Sequence, residues 1–224
     1  MTTNKYFQHN LSDSKIFQMD AFDILELSTS ALNEMVKIKG HYTHKINPLA
    51  CKKMLYENDF YYCDTLLEPY CSKHTFNYFE NELATFGEIG NLDDIINICN
   101  NSFTHGRFHR DFKLNKIMAE QRYKSWLTQL YDEKHIYTLY YSDNLAGFVG
   151  YTNNKLVLHA MDSKYRGKGL AKYLWSRVCE DLFNKGHQEI TSSVSATNLA
   201  AINLYSSLGF KFRNAVDVYH RIVE

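Results

Sequence analysis

With 224 residues, 45% of them hydrophobic and 22% charged, the chain has the composition of a folded protein and not of a disordered segment. Its 25 Lys and Arg cancel its 25 Asp and Glu, which argues against general nucleic-acid binding and leaves any polyanion to a local site. No run nears the roughly 18 apolar residues of a membrane span, and the start Met1-Thr2-Thr3-Asn4-Lys5 leads into polar sequence, so no membrane insertion and a cytoplasmic location are expected.

The first 85 residues carry the weaker pattern. Phe17 to Leu27 reads as a strand pair or a strand entry, Ala31 to Lys39 and Leu49 to Tyr56 as helices, and Phe60 to Cys71 as a strand. From Asn91 onward the pattern is dense. Leu92, Ile95, Ile96, Cys99 and Phe103 recur at helical spacing behind a cap at Asn91 or Asp93, and Ile117, Trp126, Leu127 and Leu130 mark a second helix. Ile136 to Tyr141 and Leu145 to Tyr151 alternate as strands across the short link Ser142-Asp143-Asn144. A further turn at Thr152-Asn153-Asn154 leads into the apolar run Leu156 to Met161. Leu170, Leu174, Val178 and Leu182 then fall one per turn on a helix that Gly186 stops. Ile190, Ser192, Val194 and Ala196 form a period-two strand, Ala200 to Leu208 a short helix ended by Gly209, and Val216 to Val223 a last strand. The order predicts an α+β fold, a mixed and mostly antiparallel sheet flanked by helices, over 86–224, preceded by a smaller α/β region over 1–85.

Five cysteines without C-x-x-C spacing suit neither a disulfide framework nor a zinc site, and are read as reduced, buried thiols. His41/His44 and His105/His109 are the histidine pairs at helical spacing. Without acidic or thiol ligands nearby they predict no metal.

Two motifs carry chemistry. Lys-Tyr-Arg-Gly-Lys-Gly-Leu-Ala over 164–171 sits between a strand and an amphipathic helix. Glycines at 167 and 169 let backbone approach an anion closely, and the helix start offers unsatisfied N–H groups and the positive dipole end: the pattern of a pyrophosphate cradle. One helix and one strand later comes Asn198-Leu199-Ala200-Ala201-Ile202-Asn203-Leu204-Tyr205, closing on Gly209-Phe210. Cys51 to Phe60 reads as a degraded copy of Ala201 to Phe210, with Leu55 in the place of Tyr205 and Asp59 in that of Gly209. A half-domain repeat and chance similarity of a helix–turn–strand unit both account for it.

With both motifs in place, residues 88–224 resemble the GCN5-related N-acetyltransferase superfamily. Its cofactor loop, Gln or Arg, two residues, Gly, one residue, Gly or Ala, is met by Arg166-Gly167-Lys168-Gly169-Leu170-Ala171; its later element is met by Asn198, Ala201, Tyr205 and Gly209-Phe210. The family's frequent Val-x-Pro before the loop is here Met161-Asp162-Ser163. Leu11 to Phe17, Ser102 to Phe108 and Tyr205 to Arg221 are further similar to bacterial dTDP-4-amino-4,6-dideoxygalactose (dTDP-fucosamine) N-acetyltransferases.

The resemblance implies acetyl-CoA as co-substrate. Tyr165, Arg166, Gly167, Lys168, Gly169, Leu170 and Ala171 would bind its pyrophosphate, His159, Ala160 and Met161 would flank its pantetheine arm, and Asn198 would contact that arm. The strand around Ser192 to Ala196 would splay from this edge to open a cleft. Tyr205 is implied as the general acid. A phenol of pKa about 10 protonating a thiolate of about 8.5 is uphill by roughly 2 kcal/mol, a cost that a hydrogen bond strengthening in the transition state offsets. Asp64 stands where the resembling family has an acidic residue and is read as a water-relayed base or a loop charge; His159 is read as a base or a satisfied strand histidine. Arg107, with Phe108, is read as a substrate-phosphate ligand or a surface ion pair.

The implied acceptor is the 4-amino group of a nucleotide-linked deoxy sugar for surface polysaccharide assembly. Residues 1–85 would contribute the acceptor site, and a homodimer is in keeping with the family. A protein N-terminus, a polyamine or an aminoglycoside remains as an alternative acceptor, and a CoA-binding relic without turnover as a non-enzymatic one.

Overall fold

The computed structural model describes residues 5–87, 90–100 and 102–224; the polar start Met1 to Asn4 lies outside the described residues. In chain order these form β1 (Phe7–His9), α1 (Leu11–Phe17), β2 (Ala21–Ile24), α2 (Thr29–Met35), β3 (Gly40–Ile46), α3 (Lys53–Tyr56) and β4 (Tyr61–Ser72). β5 (Ala84–Gly87), α4 (Leu92–Cys99), α5 (Arg107–Arg110), α6 (Lys116–Asp132), β6 (Ile136–Tyr141), β7 (Asn144–Thr152) and β8 (Lys155–Met161) follow. After a 3₁₀ turn at Ser163–Tyr165 come α7 (Ala171–Asn184), β9 (Glu189–Ser192), β10 (Val194–Ser195), α8 (Leu199–Ser207) and β11 (Lys211–Val223).

Side-chain oxygens set where four helices begin. Asn10, Ser28, Asn91 and Asn198 accept from the N–H groups of Asp13, Ala31, Asp94 and Ala201 at 3.0–3.2 Å, each satisfying a donor the helix cannot. Left-handed residues Ser142 and Asp143 close the β6–β7 hairpin in two residues, and Gly186, at φ 99°, ends α7.

The chain divides into two compact units. The first comprises 1–66, 104–122 and 215–224; the second 67–103 and 123–214. In the first, β1 pairs antiparallel with β2, β2 parallel with β3, and β3 antiparallel with the end of β11, from Gly40↔Val223 to Ile46↔Asp217. Phe7, Met35, Tyr42, Leu55 and Phe60 pack one core, and Phe17, Phe108, Leu114 and Ala119 a smaller one.

In the second unit β5, β6, β7 and β8 run antiparallel, β8 pairs parallel with β9, and β9 antiparallel with Tyr70 to Ser72. Trp175, Val178 and Leu182 of α7, Tyr205 of α8 and Leu208 just after it belong to one core cluster; Ile95, Leu127 and Leu130 of α4 and α6 join Phe148 and Leu158 in another. This is the expected mixed, mostly antiparallel sheet with flanking helices.

Several first-third expectations need correction. The span Phe17 to Leu27 holds a single strand, β2, with Phe17 ending the helix before it, and the helix expected from Leu49 shrinks to one turn because Asn47 binds the N–H of Leu49 and Ala50 in a turn of its own. β3, with two histidines, a tyrosine and a threonine among its seven residues, lacks a polar–apolar alternation because most of it is buried. His41 and His44 accordingly lie on a strand. Farther on, the period-two strand breaks at Ser193 into β9 and β10.

The suspected repeat has a structural counterpart. Phe60 N–H donates to Leu55 O at 3.1 Å, as Phe210 N–H does to Tyr205 O at 3.0 Å, and Asp59 (φ 56°) matches Gly209 (φ 87°) in left-handed conformation. Each turn delivers the chain from a short helix into a long strand.

Candidate active site

β8 sets the site. Its pairing with β9 ends at Leu156↔Ser192, whereas β8 continues to Met161. In an antiparallel ladder alternate residues turn their N–H and C=O groups to opposite sides, so Val157 to Met161 keep groups facing away from β7, on the side β9 has left. A divergence of two parallel strands is therefore built into this edge.

The chain then enters the glycine loop. Asp162 accepts from Lys164 N–H at 2.8 Å, forming the 3₁₀ turn. Arg166 donates through Nε to Met161 O at 2.8 Å and through Nη2 to Ser102 Oγ at 2.6 Å, so its guanidinium fastens the loop to the strand end. Gly167 and Gly169 have φ of 73° and 70°, and a Cβ on either would meet nothing within 4 Å. Their open faces leave room for a ligand to approach the backbone. No side chain caps the first turn of α7, leaving its N–H groups and dipole end for an anion beside Lys168 and Arg166. Pyrophosphate fits this donor set. Tyr165 instead lines a hollow of about 380 Å³ with Asp94, Ile98, Leu145, Asp162 and Lys164, whose two carboxylates suit a phosphate poorly.

Tyr205 lies on α8 with no exposed surface. Its hydroxyl donates to Ser192 Oγ at 2.8 Å, and Ser192 donates to Leu156 O at 2.8 Å. One hydroxyl carries one proton, so His159 Nε2, 2.7 Å from the Tyr205 oxygen, must be the N–H donor of that contact. The three side chains thus form a directed chain, His159 to Tyr205 to Ser192, ending on the β8 carbonyl where the strands part. Burial pushes the phenol up and the imidazole down, to about 4, so at neutral pH both are uncharged. Trp175 stands edge-on to the His159 ring at 5.4 Å.

The remaining expected residues separate. Asn198 spends its carboxamide oxygen on the α8 cap. Asp64, wholly buried, accepts from Arg110 Nη1 at 3.0 Å and from Thr65 N–H at 2.9 Å. Asp64, on β4, is thus the buried charge partner of Arg110. Phe108 is core, with Phe17 at 5.3 Å, and the Arg107 guanidinium lies over its ring at 4.6 Å. Asp64, Arg107 and Phe108 fall in the first unit, the loop and Tyr205 in the second. Sequence reasoning missed Ser192 and Arg110. A buried-face serine in a period-two strand was the signal for the first; for the second it was an arginine three residues after Arg107 on one helical face.

A strand edge that diverges, a glycine loop and an uncapped helix define the class of acyl-CoA-dependent N-acetyltransferases. Residues 92–210 match the model of the acetyltransferase (GNAT) family, and the chain belongs to that family. A spore coat polysaccharide biosynthesis protein, SpsD of Bacillus subtilis, is 20% identical over an alignment of 245 positions that covers 96% of this chain and 82% of that protein. N-acetylaspartate synthetase of Rattus norvegicus is 38% identical over 65 residues, 29% of this chain and 22% of the relative, so the chain matches only about a fifth of that enzyme's length. Among solved structures, a conserved protein of unknown function from Staphylococcus epidermidis superposes with TM-score 0.64 at 11% identity, covering 99% of this chain and 93% of that one. A tandem GNAT protein from the clavulanic acid biosynthesis pathway gives TM-score 0.55 at 8% identity, covering 91% and 75%. Likeness at these identities shows the fold alone.

Proposed function

We propose that the protein transfers the acetyl group of acetyl-CoA to the 4-amino group of a nucleotide-linked amino-deoxy sugar during polysaccharide assembly, by direct transfer within a ternary complex. The observation that carries the transferase reading is the glycine loop, open-faced at Gly167 and Gly169, followed at once by the uncapped α7. Support for the acceptor comes from the similarity to SpsD along nearly the whole chain and from the resemblance to amino-sugar acetyltransferases. Among the described residues no helix is long and apolar enough to cross a membrane.

Acetyl-CoA supplies an activated acyl thioester. The residues of the chain do the rest. Backbone N–H groups of 166–171 hold the pyrophosphate, and the β8 edge at His159 to Met161 aligns the thioester arm and polarises its carbonyl. As the acceptor nitrogen bonds to the acyl carbon and the C–S bond breaks, Tyr205 turns its proton from Ser192 to the departing sulfur. Its oxygen keeps the His159 Nε2–H, and the Ser192 hydroxyl rotates from Leu156 O to donate to it. One prearranged donor, His159, and one that arrives by rotation, Ser192, thereby offset the rise in pKa that burial imposes on the phenol. The amine's surplus proton passes to water, and the Tyr205 oxygen regains a proton from water as CoA leaves, which restores its bond to Ser192.

Thiol release is measured with dTDP- and UDP-amino sugars, polyamines and peptides as acceptors. Turnover with an amino-sugar nucleotide and not with the others is expected. Turnover with polyamines or peptides alone moves the acceptor to those classes and leaves the transferase reading standing; thiol release with none of them, in a protein that binds CoA, overturns it.

A further inference from the structure

The first unit is built from three stretches distant in sequence, and a buried polar side chain from each meets the other two. His41 comes from 1–66, Asp111 from 104–122 and His220 from 215–224. In the β3–β11 ladder His41 lies opposite Ile222 and Thr43 opposite His220, which sets both imidazoles on one face of the sheet. Asp111 follows α5. His220 Nδ1 donates to Asp111 Oδ2 at 2.7 Å, and His41 Nε2 lies 3.7 Å from the same oxygen. Tyr61 donates to the carboxylate at 3.1 Å and Lys113 N–H to Oδ1 at 2.8 Å. All three residues are at most 1% exposed, and the two nitrogens and the carboxylate oxygen lie within 4.8 Å of one another. His41 Nε2 is buried without a hydrogen-bond partner. A polar atom buried in this way destabilises the fold unless something engages it.

We propose that His41, Asp111 and His220 form a zinc site that staples the three stretches of this unit. Imidazole and carboxylate donors suit zinc and are poorly matched to magnesium or calcium, which take oxygen ligands. Tetrahedral donors at about 2.0–2.2 Å from zinc stand roughly 3.3–3.6 Å apart, and the separations from Asp111 Oδ2, 2.7 and 3.7 Å, bracket that spacing. Binding moves the His220 proton from Nδ1 to Nε2 with no net release. His220 Nε2 is itself buried and unpartnered, so the tautomer change leaves the number of orphans on that ring unaltered. Tyr61 and the Lys113 N–H stay on the carboxylate as outer donors that orient it, and His41 gains its missing partner.

The test uses the full chain without a polyhistidine tag, stripped with EDTA, exchanged into chelator-free buffer, and given zinc or magnesium chloride. Retention of about one zinc per chain after gel filtration, with a rise in melting temperature that magnesium does not produce, is the expected result. His41→Gln and Asp111→Asn lose both effects, and His74→Gln, at an exposed histidine, keeps them. No zinc retained by the native sequence, or equal retention by His41→Gln and Asp111→Asn, overturns the site. Should those two variants fail to fold, X-ray absorption of the zinc-loaded native chain decides: imidazole scattering with a light-atom shell supports it, and a sulfur ligand or a shell without imidazole overturns it.

Discussion

Tyr205 is useful to a departing thiolate only if its oxygen can carry charge in a buried setting; the bond it accepts from His159 addresses that need, and the Ser192 hydroxyl adds a second once it turns from Leu156 O. Tyr205→Phe is therefore expected to lower kcat by about 10²-fold with acetyl-CoA affinity unchanged, since the lost donor acts only in the transition state; unaltered kcat in steady-state assays would remove the residue from the mechanism. His159→Gln keeps an N–H donor near the phenol, whereas His159→Leu does not, so the first should retain more kcat than the second. Loss of equal size in both would make the imidazole a packing residue. The same histidine also marks acid stability. Burial lowers its pKa from 6.5 to about 4, so between those values the unfolded chain binds a proton the folded chain does not, and stability falls as pH drops from about 6.5 towards 4. His44 and His220 shift in the same direction through burial. Urea titrations across that window should show the decline, and His159→Gln should reduce its slope without abolishing it.

Helix–turn–strand units recur at 53–61 and 199–211, and their turns solve one problem with different residues. Both place a left-handed residue after a short helix, but Gly209 has no alternative: a Cβ there would run into the Thr75 carbonyl. Asp59 holds φ 56° with a side chain. Asp59→Gly should stabilise the protein by about 0.5–1 kcal/mol by relieving that conformation, while Gly209→Asp should destabilise it by more than about 2 kcal/mol through steric overlap on top of backbone strain. Urea midpoints measure both, and equal responses would break the distinction drawn between the turns. In the cofactor loop the constraint is room for a ligand. Gly169→Asp should abolish CoA binding by bringing charge and bulk into the open face, while lowering the melting temperature only by the strain of a side chain at φ 70°; normal CoA retention by this variant would dismiss the loop as the anion site. These elements were legible in the sequence because turn and loop glycines, caps such as Asn91 and Asn198, and one-per-turn leucines are local signals. β3 was not, because a strand buried along most of its length loses the alternation that marks a half-buried one. The directed chain through Ser192 was hidden for another reason: its direction follows from counting protons among residues 156, 159, 192 and 205, which only the fold brings together.

At the scale of the whole chain, sequence pattern and compactness part company. The weaker pattern ends near residue 85, and the family match begins at 92, which together suggest that 86–224 folds alone. The compact units argue otherwise. Tyr70 to Ser72 pair with Thr191 to Glu189, and Ala84 to Gly87 pair with Tyr141 to Thr138, so the second unit draws one flanking strand of the β9-to-β6 run, and half of the other, from residues before 86. Removing 1–85 would strip β9 of its antiparallel partner and β6 of two of its four pairings with β5, exposing backbone donors and acceptors along both edges. It would also strand 104–122 and 215–224, whose compact unit is otherwise formed by 1–66. Leu55, Phe60 and Met35 would leave Tyr219 without most of its core, and each large buried side chain removed costs about 2–5 kcal/mol, comparable to the total stability of an ordinary domain. The truncated chain 86–224 is accordingly expected to aggregate or to melt without cooperativity. A chain beginning at 67 should recover the second unit's strands but still leave 104–122 and 215–224 without their partners. Circular dichroism melts of the two truncated chains beside the full one measure this, and a cooperative transition for 86–224 within about 2 °C of the full chain, a shift worth about 0.5–1 kcal/mol for this size, would show that the sequence boundary and not the compact unit is the folding boundary.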